Sequence, residues 1–265
     1  MGSTPRPVVA ALVLAVSLVP GSAPPAAAAE TPAPAADGPV SLPRSTQHDF
    51  TSPIDGHPYR VCVATPFGAD PARAYPVFYV LDGNWYFLPT ADNVTESGKT
   101  ITQAIVVGLG YPTYDNREVA RRRMGELASD EFERVLLEEV KPWVEAHFHV
   151  DRAHQTLYGK SMGGLATLAV LARHPEAFQT YVAASPALRM DKNGLLKDAQ
   201  PPTPPVRLLI TVGGLESKGY MQDPAEAFAK KFGGTFYVIA GETHVSVSLA
   251  SLGRAINFAL PPPAK

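Results

Sequence analysis

Residues 156–178, TLYGKSMGGLATLAVLARHPEAF, place a serine between glycines where a short apolar strand runs into a helix-forming segment. A sharp strand-to-helix turn lifts a side chain out of a sheet, and glycines on either side tolerate the crowded backbone. Gly159 and Gly163 occupy those positions around Ser161. The pattern predicts a nucleophilic serine. The alternative is a tight turn whose small residues serve packing alone.

The helix after this turn predicts where a negative charge would be stabilised. The first N–H groups of a helix have no partner within the helix, and the helix dipole favours negative charge at that end. Met162 opens the helix. We therefore predict that the Met162 N–H donates to the oxyanion that forms when Ser161 attacks a carbonyl.

Strand-like and helix-like segments alternate on both sides of the turn. Apolar runs typical of strands cover residues 57–66, 74–83, 102–110, 155–161, 180–186, 206–214 and 235–241. Runs with helical spacing cover residues 129–148, 162–174, 223–232 and 245–260. This alternation predicts an α/β fold with a mainly parallel central sheet and helices on both faces. In such sheets, sites form at the carboxyl ends of the strands.

Two later strand ends offer a base and an acid that would activate the serine. His244 follows the last strand, and the other six histidines are placed less suitably. Glu216 follows the glycines after the preceding strand, and Asp223 is the alternative acid. A surface histidine and a solvated carboxylate are the competing interpretation. The order serine, acid, histidine is typical of an α/β hydrolase.

The segment FYVLDGNWYF, residues 78–87, is predicted to supply a second oxyanion donor. Gly83 lets the backbone turn at the end of a central strand, so an N–H of Gly83 or Asn84 would point into the site. The competing interpretation is that Asp82, Gly83 and Asn84 form an ordinary turn.

Five segments resemble, in order, the Putative esterase family of α/β hydrolases, and within it the periplasmic siderophore esterases that open enterobactin-type trilactones. They are YVLDGNW (79–85), KPWVEAHFHVD (141–151), the opening stretch (156–178), YVAASPAL (181–188) and GETHVSV (241–247). The similarity covers residues 44–260. It implies Ser161 as nucleophile, His244 as base, and an oxyanion hole from Met162 with the Gly83–Asn84 backbone. Some members use a serine–histidine pair alone, so the acid stays open between Glu216, Asp223 and none.

Two segments depart from this family and concern the substrate. Relatives often carry Arg…Asp-Tyr-Thr-Pro where residues 114–132 are YDNREVARRRMGELASDEF, and aromatic residues where 183–190 are AASPALRM. The loss of stacking residues weakens the case for a catechol siderophore. The arginines would meet an anionic substrate or form the solvated face of a loop. We expect four residues to border the substrate: Trp85, Lys160, Arg117 and Arg189.

The chain ends and the composition indicate the cellular setting. A basic start, a short apolar run and an Ala-rich end predict a signal peptide at residues 1–29, before a Pro/Ala-rich linker at 30–43. The folded domain is expected at 44–260 and a tail at 261–265. Cys62 is the single cysteine, so no internal disulfide forms. With 23 Lys and Arg against 25 Asp and Glu, the net charge is −2, which argues against nucleic acid or an anionic membrane as partner.

These features predict a secreted serine carboxylic-ester hydrolase that acts through an acyl-enzyme on a small-molecule ester. Siderophore-type lactones are the first substrate class to expect. The chemistry requires no metal and no organic cofactor. The alternatives are a secreted acyltransferase of the same family and a non-catalytic binding protein on this scaffold. Neither the ester nor the oligomeric state follows from the sequence.

Overall fold

An eight-stranded sheet runs through the computed structural model, which describes residues 1–2, 42–96, 101–127, 129–192 and 194–262. The strands are β1 (Ser45–Thr51), β2 (Pro58–Ala64), β3 (Tyr75–Leu81), β4 (Ile105–Gly110), β5 (Val150–Lys160), β6 (Thr180–Ala184), β7 (Arg207–Gly213) and β8 (Thr235–Ile239). Their order is β1-β2-β4-β3-β5-β6-β7-β8. The pairings of β2 with β1 and β4 are antiparallel, and the others are parallel. This topology confirms the predicted fold class.

Helices cover both faces of the sheet. They are α1 (Gly83–Glu96), α2 (Asn116–Glu126), α3 (Asp130–Arg134), α4 (Lys141–His147), α5 (Met162–Arg173), α6 (Leu195–Asp198), α7 (Asp223–Lys231) and α8 (Val247–Ala259), and a π-helical turn (Val135–Val140) joins α3 to α4. Strand side chains alternate between two apolar clusters, because successive residues of a strand point to opposite faces. In β3, Val77 and Tyr79 belong to one cluster and Phe78 and Val80 to the other, which also holds side chains of α1 and α8.

Four elements were not expected from the sequence: β1, α1, α2 and the short α6. The edge strand β1 is largely polar, and α1 contains Pro89, so neither has a clear apolar period. Helix α2 lies within the basic segment 114–132, for which a solvated loop or a contact with an anionic substrate was expected. It buries Val119 and Arg122, and Asp115 caps it by accepting from the Arg117 N–H. The loop interpretation is therefore wrong for this segment.

The predicted domain limits fall partly beyond what the structure describes. The described residues between 42 and 262 belong to one folded unit. Nearly all of the predicted signal peptide and linker, and most of the predicted tail, lie outside the described residues. Among the described residues, no helix has the length and hydropathy needed to cross a membrane.

Candidate active site

Ser161 lies on a strained turn between β5 and α5. Its backbone has φ 58° and ψ −112°, in a region that residues other than glycine rarely adopt. Hydrogen bonds hold the turn: the Ser161 N–H donates to the Ala184 carbonyl (2.9 Å), and the Ser161 carbonyl accepts from the Ala187 N–H (3.0 Å). A Cβ at position 159 would collide with the backbone of Gly163, so the close approach of strand and helix requires glycine at 159.

His244 reaches this turn from the loop between β8 and α8. Thr243 and Ser246 hold the loop reciprocally, because each backbone N–H donates to the other's hydroxyl oxygen (2.9 and 3.2 Å). This arrangement presents His244 Nε2 to Ser161 Oγ at 3.1 Å. The side chain of His244 is 42% exposed, so one side of the imidazole faces solvent.

Glu216 completes a hydrogen-bonded chain from Ser161 through His244. Its Oε2 lies 3.0 Å from His244 Nδ1, and its Oε1 accepts from Ser185 Oγ (2.5 Å) and the Gly213 N–H (2.9 Å). Burial raises the pKa of Glu216, but the bonds from His244, Ser185 and Gly213 outweigh burial and hold the pKa below its ordinary value of 4.5. An ionised Glu216 selects the tautomer with the proton on Nδ1, which leaves Nε2 free to accept from Ser161.

Asp223, the alternative acid, is placed differently. It is the first residue of α7 and is exposed to solvent. The position beside His244 Nδ1 is taken by Glu216, whose side chain is only 2% exposed. Of the two carboxylates that the sequence left open, the structure brings Glu216 to the histidine.

The predicted oxyanion donors begin two neighbouring helices. Met162 opens α5 directly after Ser161, and Gly83 opens α1 with one residue between it and the end of β3. Because β3 and β5 are paired, their carboxyl ends place these two helix starts side by side. The side chain of Asn84 turns away to hold the loop after β4: it donates to the carbonyls of Tyr111 (2.9 Å) and Thr113 (3.0 Å). Backbone N–H groups therefore remain as the donors that Gly83 and Asn84 can offer the site.

A cavity of about 360 Å³ opens beside Ser161 and His244. Much of its wall is apolar, formed by Ala187, Met190, Leu215, Tyr220 and Met221. Arg189 adds a positive charge. Its Nη2 donates to the Gly219 carbonyl (2.9 Å), and its guanidinium lies 5.5 Å from the centre of the Tyr220 ring. Volume and lining are typical of a small-molecule site.

The four residues expected to border the substrate have different surroundings. Arg189 lines the cavity, whereas Trp85, Lys160 and Arg117 are not among its lining residues. Trp85 Nε1 donates to Asn116 Oδ1 (3.1 Å), and Arg117 is exposed on α2. Lys160 is buried at the end of β5, and burial lowers its pKa.

Comparison with known proteins identifies the family. Residues 52–235 match the family model described as Putative esterase. The chain belongs to this family. The ferri-bacillibactin esterase BesA of Bacillus subtilis is 28% identical over 264 aligned residues, which cover 84% of this chain and 91% of BesA. These matches confirm the predicted family, and the prediction of a serine esterase agrees with them.

Solved structures of similar proteins share the fold of this esterase. The BES protein from Bacillus cereus matches with a TM-score of 0.72 and 26% identity, covering 84% of this chain and 98% of that one. The siderophore hydrolase EstB from Aspergillus nidulans matches with a TM-score of 0.70 and 25% identity, covering 86% and 99%. The fold of this chain is therefore similar to that of the BES protein and of EstB.

Three residues beside the site of this esterase make contacts that the sequence did not predict. Ser185 directly follows β6 with φ 42° and is fully buried, and its hydroxyl donates to Glu216. Asp82 directly follows β3 with φ 57°, and Arg123 of α2 binds its carboxylate. The positions of Ser185 and Asp82 at strand ends were a usable signal. No sequence signal pointed to Arg123, because it stands within a run of three arginines that the sequence does not distinguish.

Proposed function

We propose that this chain is a secreted serine carboxylic-ester hydrolase that opens siderophore-type lactone esters through an acyl-enzyme. The observation that carries the proposal is the continuous hydrogen-bonded chain from Ser161 through His244 to Glu216, with Ser161 opening into a cavity. This arrangement matches the chemical needs of acyl transfer: a nucleophile, a base within reach and a carboxylate that orients the base.

The proposed reaction begins with attack of Ser161 Oγ on the ester carbonyl. His244 Nε2 takes the serine proton, and Glu216 stabilises the imidazolium that forms. The carbonyl oxygen becomes an oxyanion, which accepts hydrogen bonds from the Met162 N–H and from an N–H of Gly83 or Asn84. The tetrahedral intermediate collapses, the departing alcohol takes the proton from His244, and an acyl-enzyme remains. Water then repeats the sequence and frees the acid.

The cavity and the relatives support the substrate class. A volume of about 360 Å³ suits an aromatic or short acyl group better than a long alkyl chain. Arg189 and Tyr220 at its wall suit a planar acyl group with anionic or oxygen-rich edges. BesA and EstB are described as acting on siderophores. Siderophore lactones combine ester bonds with acyl groups of this kind.

Export belongs to the same proposal. Residues 1–29 have the basic start, apolar centre and Ala-rich end of a cleaved signal. Expression of the full chain in a bacterial host should yield an exported product whose first residue is Glu30. Retention of an intact amino terminus in the cytoplasm would contradict export and leave the proposed chemistry untouched.

The chemistry is tested with the native chain and its Ser161→Ala variant. Both are assayed on p-nitrophenyl butyrate, on a catecholate trilactone and on a hydroxamate ester, with release of alcohol and of free acid both measured. We expect multiple turnovers by the native chain and none by Ser161→Ala. A fluorophosphonate should label the peptide that contains Ser161. A single burst without turnover in water would instead support an acyltransferase, and absence of both turnover and labelling would support a non-catalytic binding protein.

A further inference from the structure

Asp82 holds an unusual backbone conformation directly before the proposed oxyanion donors. Its φ of 57° is in the left-handed region, and its side chain is fully buried. The Asp82 carbonyl accepts from the N–H groups of Trp85 (2.9 Å) and Tyr86 (3.1 Å), so Asp82 sets the direction in which α1 begins. A conformation of this kind persists where surrounding groups hold it.

Arg123 is the group that holds Asp82. Its Nε donates to Oδ1 (2.8 Å) and its Nη2 to Oδ2 (2.7 Å), a paired geometry that fixes the plane of the carboxylate. The ring of Trp85 covers the guanidinium, with the Arg123 Cζ 5.2 Å from the ring centre. Burial alone would lower the pKa of Arg123, but Asp82 raises it above its ordinary value, so the guanidinium stays charged.

The ion pair of Asp82 and Arg123 also contacts the nucleophile turn. Arg123 Nη2 lies 3.5 Å from the carbonyl oxygen of Lys160, the residue before Ser161. A Cβ at Gly163 would lie 3.2 Å from Asp82 Oδ2, so the carboxylate packs against the first turn of α5. The pair therefore lies between the two helix starts that are proposed to bind the oxyanion.

The neighbouring arginine provides a contrast within the same helix. Arg122 makes an equally close paired contact, with Nε and Nη2 each 2.9 Å from a carboxylate oxygen of Glu126. It also donates to the Pro58 carbonyl (2.8 Å). These partners lie within α2 and at the start of β2, away from the serine turn. Arg122 also stacks on the Tyr111 ring, 4.2 Å from its centre, and the Tyr111 backbone binds the Asn84 side chain. Arg122 therefore shares the burial and bonding of Arg123 but makes no hydrogen bond to Asp82 or to the serine turn.

We propose that Arg123 is a positioning residue of the esterase reaction, which aligns the Gly83–Asn84 backbone with the Ser161–Met162 turn through Asp82. This inference rests on the proposed function. The oxyanion exists only in the tetrahedral states, so misaligned donors lower kcat and leave ground-state binding nearly unchanged. Removing a whole oxyanion donor costs about 100- to 1000-fold in kcat. A misaligned donor should cost less, about 10- to 100-fold.

The test compares Arg123→Lys with Arg122→Lys in the mature chain. Each keeps its positive charge and loses the paired geometry. The kcat and KM are measured for p-nitrophenyl butyrate. The concentration of active Ser161 is determined by complete titration with a fluorophosphonate, and kcat is calculated from it, so a partly folded sample does not distort the result. The inhibition constant of phenylboronic acid is measured too, because Ser161 Oγ adds to boron and gives a tetrahedral anion that occupies the oxyanion hole.

We expect Arg123→Lys to lose about 10- to 100-fold in kcat and a similar factor in phenylboronic acid affinity, with KM changed less than about threefold. Arg122→Lys should lower the melting temperature and keep kcat and the phenylboronic acid inhibition constant near their native values. If Arg123→Lys has no titratable sites, Asp82→Asn, which keeps the side-chain shape, takes its place with the same expectation. If Arg123→Lys and Arg122→Lys have the same kcat and the same phenylboronic acid inhibition constant, the inference is overturned and the esterase proposal stands. A native chain without turnover or labelling overturns both.

Discussion

Replacing Glu216 with glutamine tests whether this esterase needs a third catalytic group. The Gly213 N–H is a fixed donor at Oε1, so the amide oxygen of the introduced glutamine would take that position. The amide NH₂ would then face His244 Nδ1, where Oε2 now lies at 3.0 Å. Two donors cannot share a hydrogen bond, so the imidazole would move its proton to Nε2. In that tautomer His244 cannot accept the proton of Ser161.

The expected loss follows from this change of tautomer. The same replacement of acid by amide in a serine-protease triad lowers kcat by about 10⁴-fold. The side chain of His244 is 42% exposed here, so water compensates part of the loss. We expect Glu216→Gln to lower kcat by about 10²- to 10⁴-fold, with KM nearly unchanged, because the acid acts mainly in the transition state.

The assay is steady-state hydrolysis of p-nitrophenyl butyrate, with Ser161→Ala as the baseline. Asp223→Asn is the matched control, because Asp223 was the other acid that the sequence allowed and is exposed at the start of α7. It should keep native kcat. The reasoning would be refuted if Glu216→Gln kept its kcat within about threefold of native, which indicates a serine–histidine pair alone. Loss of activity in Asp223→Asn instead would refute the assignment of the acid.

Three further changes probe the turn and the acid. Ser185→Ala removes the 2.5 Å bond to Glu216 and should lower kcat about 3- to 30-fold at constant KM; an unchanged kcat would contradict this. Gly159→Ala should lower the free energy of unfolding in urea by about 3 kcal/mol or more, because the added Cβ collides with the backbone of Gly163. The control is Gly125→Ala on α2, where the added Cβ meets open space, and it should be neutral or stabilising. The depressed pKa of Glu216 contributes stability that is present above pH 4.5 and lost as pH falls through the folded-state pKa. Urea midpoints from pH 7 to pH 3 should therefore fall less in Glu216→Gln than in the native chain.

The sequence was most informative where the structural signal is local. The Gly-x-Ser-x-Gly turn depends on residues within five positions, and it predicted the junction at which Ser161 adopts φ 58°. The apolar runs predicted seven of the eight strands. The signal was strongest in β3, β6 and β7, because parallel strands buried on both faces are almost continuously hydrophobic. The edge strand β1 is polar and half exposed, and its place is decided by pairing with β2.

The order of Ser161, Glu216 and His244 along the chain, with strands before each, was enough to nominate all three. Parallel strands bring their carboxyl ends to one edge, so residues that follow them converge without any detailed knowledge of packing. The sequence did not decide which acid reaches the histidine. Glu216 and Asp223 stand seven positions apart after the same strand, and both fit the pattern. The bonds from Gly213 and Ser185 that turn Glu216 toward His244 come from neighbouring strand ends.

The sequence by itself determined the strand-and-helix alternation, the family and the nucleophile turn, since these depend on local residue order. Tertiary structure alone decided the partners of the buried charges. Residues 121–123 are three consecutive arginines, and nothing in that order tells them apart. Helix geometry sends Arg123 to Asp82, 41 positions earlier, keeps Arg122 on Glu126 within α2, and leaves Arg121 exposed. The physical reason is that a buried charge takes its partner from whatever the fold places beside it, and sequence distance carries no information about that neighbour.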